Sequence, residues 1–76
     1  MVKFIAIGDW VIYSQNHYLW LVQADRWPSK RLSRRMFTGR VVGGNGQDSR
    51  GFLCVRWIDN TVTWHLFENL ERLEGG

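Results

Sequence analysis

Apolar residues in this chain alternate with polar ones over short runs and do not recur at helical spacing, while glycines cluster and proline occurs once, at Pro28. That pattern predicts short strands joined by tight turns. Residues 10–13 form the first predicted strand, entered through a turn at Gly8 and Asp9, with Val11 and Tyr13 on one face and Trp10 and Ile12 on the other. Residues 18–22 are apolar on both faces and read as a strand with both sides covered. Residues 36–42 predict the next strand, with Gly39 as a bulge or close-approach point, and residues 43–51 read as a glycine-rich loop. The clearest strand is 52–57, with Leu53, Val55 and Trp57 on one face and Phe52, Cys54 and Arg56 on the other. Asp59 and Asn60 suit a two-residue hairpin turn. It leads to a strand over 61–65 in which Val62 and Trp64 face the core and Thr61, Thr63 and His65 face out. A helical turn at 67–69, a closing strand at 70–73 and a frayed Gly75-Gly76 tail complete the expectation.

Composition narrows the class. At 76 residues there is room for one domain, spanning 1–76, of a size that buries about 60% of its unfolded surface. With 45% hydrophobic residues, five Trp, four Phe and two Tyr, a folded globule is expected. The lone Cys54 excludes an intramolecular disulfide and reads as a small buried hydrophobe. Two histidines and one thiol make no zinc-finger cluster. No apolar run approaches the roughly 20 residues of a membrane span, and the start of the chain shows no cleavage-site pattern. The expectation is a complete, soluble, cytoplasmic chain, neither a multidomain enzyme nor a secreted disulfide scaffold.

Charge changes the picture more. Six of the ten Lys and Arg and none of the seven acids lie between residues 26 and 40, so that segment carries +6 and the rest of the chain −3. The six are Arg26, Lys30, Arg31, Arg34, Arg35 and Arg40. A basic stretch on a small domain is the electrostatic footprint of an anionic partner, or the solubilising charge of a long surface loop. Pro28 suits the first turn of a short helix here, and an irregular loop fits equally. Trp27 stands inside the basic run and joins a stacking surface to phosphate-pairing cations. Equally, it could fold back and staple the excursion to the core.

A strand, a long excursion over 14–35, a three-strand meander, a helical turn and a closing strand make the order of a small all-β, SH3-like five-stranded barrel. Gly8-Asp9-Trp10-Val11 resembles the Gly-Asp-x-Val opening of many such barrels. Val55 and Trp57, the acidic turn at Asp59, Trp64 and Leu70 resemble the pattern of Tudor-like and Mind-bomb-like modules. That resemblance implies binding of peptides or nucleic acids without catalysis. Gly8, Asp9, Val11, Gly39, Val41 to Gly43, Val62 and Leu70-Glu71-Arg72 are also similar to the type II dihydrofolate reductases carried on plasmids. In that family a Gln-Ile-Tyr triplet lines the central pore of a homotetramer and holds cofactor and folate. This chain has Thr63, Trp64 and His65 there, so the pore residues do not carry over.

Two constellations remain. Trp10, Tyr13, Trp57 and Trp64 lie on strands adjacent in such a barrel and could form an open aromatic pocket for a methylated ammonium group, or simply fill the core. His17 and His65 stand without a recognisable nucleophile or orienting acid, and the aspartates sit singly at turns. The glycine run lacks the ending of a phosphate-binding loop. No catalytic residue, cofactor or metal site is expected. The function read from these residues is nucleic-acid binding through Arg26, Trp27, Lys30, Arg31, Arg34, Arg35 and Arg40. The alternative is a protein-interaction adaptor, phage or mobile-element encoded, that binds a peptide or acidic partner. A reductase-like homotetramer is the third.

Overall fold

The computed structural model describes residues 5–28, 30–44 and 51–73. The predicted tail at Gly75-Gly76 and the middle of the glycine-rich loop lie outside the described residues. Among the described residues five strands form one antiparallel sheet: β1 (Trp10–Tyr13), β2 (Gly39–Gly44), β3 (Phe52–Trp57), β4 (Val62–Leu66) and β5 (Leu70–Arg72). Their order is β4-β3-β2-β1-β5. A 3₁₀ turn, Phe67–Asn69, joins β4 to β5, as the sequence predicts. The chain order of strand, excursion, three-strand meander, helical turn and closing strand is the one the sequence predicts, and no pairing between β4 and β5 closes the sheet among the described residues.

The core follows the period-two faces. Val11 and Tyr13 of β1, Val41 of β2, Leu53, Val55 and Trp57 of β3 and Leu70 of β5 are buried in one cluster with Ile5 and Phe37. Gly39 is a close-approach point, as expected: a Cβ there would lie 2.7 Å from Cε3 of the Trp57 indole and would also overlap a methyl of Val55. The bulge falls three residues later, at Val42, where the β2–β3 register shifts between Val41 and Gly43. The strand therefore starts at Gly39 instead of Met36, and Phe37, just before it, is a core residue.

Two expectations are corrected. Residues 18–22 belong to a helix, α1 (Gln15–Gln23), not to a strand. Ser14 caps it, its Oγ accepting from the His17 N–H at 3.3 Å, and the spacing of Tyr18 and Leu21 turns that pair onto the core while Leu19, Trp20 and Val22 reach solvent. The helix ends in a Schellman motif: the Asp25 N–H donates to Val22 O at 3.1 Å and the Arg26 N–H to Leu21 O at 2.8 Å. Asp25 takes the left-handed conformation at φ 56°, a position usually held by glycine.

The second correction concerns β4. The β3–β4 turn has three residues, not two: the Asn60 N–H donates to Trp57 O and the Trp57 N–H to Thr61 O, both at 2.8 Å, with Asn60 at φ 70°. Register then pairs Val55 with Thr63 and Arg56 with Val62. One extra turn residue shifts the pairing by one and exchanges the faces of the whole strand. Thr63 and His65 consequently turn toward Trp57 and Tyr13, while Val62 and Trp64, expected in the core, are 50% and 60% exposed. Cys54 is buried, as the sequence suggests. Among the described residues no helix is long and apolar enough to cross a membrane.

Candidate functional site

The basic excursion leaves α1 at Asp25 and reaches β2 through irregular turns, which resolves the helix-or-loop alternative in favour of a loop. Trp27 is half-buried. Its indole N–H donates to Leu32 O at 3.0 Å, closing the loop on itself. The ring meets Tyr18 and Phe37 edge to face, with centroids 4.8 and 5.3 Å apart, so the residue holds the excursion against the core. Arg34 does the same from the other side, donating from Nη1 to Tyr13 O at 3.1 Å and to the Glu71 carboxylate at 2.9 Å. That ion pair is partly shielded, with the Arg34 side chain only 16% exposed.

The remaining cations of the excursion point outward. Arg26, Lys30, Arg31 and Arg35 are all exposed. Between two of them and the indole lies a cleft of about 540 Å³, walled by Tyr18, Val22, Trp27 and Met36 and rimmed by Lys30 and Arg31. Asp25 contributes its one carboxylate. Trp27 thus both packs against Phe37 of the core and lines the cleft. Arg40 is separate. It leaves the outer face of β2, with Cζ 5.9 Å from the centre of the Trp10 ring.

The four residues of the expected aromatic pocket do not share a surface. Tyr13 and Trp57 stack in the core with centroids 4.2 Å apart, whereas Trp10 and Trp64 lie exposed on the opposite face of the sheet. Inside, Tyr13 and Trp57 belong to a half-buried polar cluster with Thr63, His65 and His17. The Trp57 indole N–H can only donate, and does so to Thr63 Oγ1 at 2.7 Å. Thr63 Oγ1 also lies 2.7 Å from Nε2 of His65, within hydrogen-bond distance. The Tyr13 hydroxyl stands 3.1 Å from the same nitrogen.

Burial dominates the electrostatics of this cluster. It lowers the His65 imidazole from its ordinary 6.5 to about 4, with the neighbouring His17 adding to the effect. It lowers His17 as well, and raises the Tyr13 phenol to about 12 against the opposing hydrogen bond from Thr63. His65 is thus neutral near pH 7 and occupied by hydroxyl partners, a packing role and not the surface role expected for it. Among the described residues no three His, Cys, Asp or Glu side chains come together to hold a metal ion.

Sequence reasoning missed Tyr18 and Met36 as cleft walls and Arg56 as the neighbour of Arg40. Tyr18 was hidden by the helix read as a strand, and the Arg40–Arg56 pairing depends on a register that composition does not carry. Comparison of the chain with protein-family models, curated proteins and solved structures gives no significant match.

Proposed function

We propose that this chain is a non-enzymatic binding module for single-stranded nucleic acid, held along the basic excursion. A base enters the cleft beside Trp27, and phosphates pair with Lys30, Arg31 and the exposed Arg26 and Arg35. The observation that supports this reading is the cleft itself, in which an indole wall and two cation-bearing side chains border one space of about 540 Å³. Base stacking on an aromatic ring contributes about 1–3 kcal/mol and is tolerant of sequence, while the cations supply a salt-sensitive attraction to the backbone. Arg34 is committed to Glu71, so its part is to hold the loop in shape.

A labelled single-stranded oligonucleotide titrated at low salt tests the proposal. Replacing Lys30, Arg31 and Arg35 together by Gln is expected to lower affinity by about tenfold or more, and Asp25→Asn, which removes the carboxylate at the cleft, to raise it. Equal affinity for all three proteins would remove the cleft from the account.

One observation favours a second reading. Phe52, Val62 and Trp64 are each at least half exposed on neighbouring strands of the outer face, an apolar strip suited to a protein partner. A defined protein that co-purifies with the native chain but not with Trp64→Ser, in the absence of nucleic acid, would favour the adaptor reading.

A further inference from the structure

On the outer face of the sheet, Trp10 pairs with Arg40 across β1–β2, and Arg40 pairs with Arg56 across β2–β3. The three side chains therefore leave one row of the same face, with directly opposed Cβ atoms about 5 Å apart. Two arginines opposite each other in adjacent strands repel. Neither has an ion-pair partner among the described residues. Among the described residues the sheet thus holds two cations together without an ion-pair partner, beside an indole that is 52% exposed.

These residues border a cavity of about 660 Å³, within the range of small-ligand sites. Its rim is apolar where Ile7 and Ile58 are exposed and polar at Asn60. Arg40 already lies against the Trp10 ring, which holds its guanidinium near the face of the sheet. A carboxylate would balance one of the two cations. A phosphate monoester carries close to two negative charges at neutral pH and offers three terminal oxygens, which matches a pair of guanidinium forks. The flat apolar side of the cavity, formed by Trp10 and the two isoleucines, suits a planar ring attached to that phosphate.

We infer that the Trp10–Arg40–Arg56 cavity binds a nucleoside bearing a terminal phosphate. The phosphate lies between Arg40 and Arg56, and the base lies against Trp10. The site is on the opposite face of the sheet from Tyr13, against which the Trp27 loop packs, and it stands independently of the nucleic-acid reading of that loop. The same chemistry is presented by a free mononucleotide and by the 5′-phosphorylated end of a strand.

Calorimetry and ¹H–¹⁵N NMR on the full chain at low salt test it, with adenosine 5′-monophosphate, adenosine, inorganic phosphate, and a hexadeoxynucleotide with and without a 5′-phosphate as probes. The monophosphate is expected to saturate and to move the Trp10 indole N–H resonance, with adenosine and inorganic phosphate each about tenfold weaker or more. Arg40→Gln and Arg56→Gln are each expected to weaken the monophosphate about tenfold. Both substitutions are on the surface and relieve a like-charge pair, so thermal unfolding should show them folded. Tighter binding of the phosphorylated hexamer than of its unphosphorylated form would identify the strand end as ligand, and tighter binding of the free monophosphate than of either hexamer the mononucleotide; both support the site. It is overturned if the monophosphate fails to saturate at millimolar concentration, if inorganic phosphate binds as tightly, or if both arginine variants bind it unchanged.

Discussion

At Gly39 the β2 backbone passes directly beneath Trp57 and Val55, and only the absence of a side chain lets those two residues fill the core. Gly39→Ala should therefore cost about 1–3 kcal/mol, the range for overpacking a core that cannot yield. Gly43, four residues along the same strand, has ordinary spacing: its added Cβ would lie 3.7 Å from that of Cys54. Gly43→Ala is expected to be neutral or slightly stabilising, and chemical denaturation of the two variants separates the cases. His65 is the residue through which acid reaches the fold. Its folded value near 4 lies below the ordinary 6.5, so between those values the unfolded chain binds more protons. The stability due to neutral His65 is full above about pH 6.5, falls as pH drops toward 4, and is gone below that; lowering of His17 acts in the same direction. Thermal midpoints measured from pH 7 to pH 4 should fall, and should fall less for His65→Gln, which keeps a hydrogen-bonding group beside Thr63 without the titration. Tyr13 works at the other extreme: its stabilisation is present below pH 10 and lost as pH rises toward 12.

At the scale of elements, the turn between β3 and β4 decides more than its length suggests. Asn60 at φ 70° supplies the third residue of that turn, and Asp59 steadies it by accepting from the Thr61 N–H at 3.0 Å and from the Thr61 hydroxyl at 2.6 Å. Asn60→Ala should cost about 1 kcal/mol, because alanine disfavours that conformation, whereas Asn60→Gly should be close to neutral. Thermal unfolding of the pair checks the assignment. The strands 10–13 and 52–57 were legible in the sequence because apolar alternation and flanking turn residues agree there. The faces of β4 were not, since Asp59-Asn60 reads equally well as two turn residues or as the end of three, and one residue reverses every side chain that follows. Nor was α1 legible: the apolar run from Tyr18 to Val22 has no period of its own, and its helical character rests on the Ser14 cap, the Schellman end and the docking of Tyr18 and Leu21. Of the candidate site, the cations and Trp27 were visible as a cluster in sequence. Which of them would be committed to structure was not, because the partners Leu32, Tyr13 and Glu71 are chosen by tertiary packing.

Across the whole molecule, the +6 segment and the −3 remainder meet where Arg34 pairs with Glu71 at 2.9 Å. Asp9 pairs instead with Arg72 at 3.4 Å. Arg26, Lys30 and Arg35 of the excursion are exposed, Lys30 at the rim of the aromatic cleft, and the outer sheet face presents a second cationic pair beside Trp10. Nucleic-acid binding by the excursion is tested by the salt dependence of oligonucleotide affinity, measured for the native chain and for the protein with Lys30, Arg31 and Arg35 replaced by Gln. Each phosphate neutralised on a single strand contributes a slope of about −0.7 to log K against log salt. The native chain should bind with a slope of roughly −2 to −3, and the variant with one visibly shallower. Affinity weaker than about 10⁻⁴ M at low salt, or the same slope in both proteins, would contradict the account.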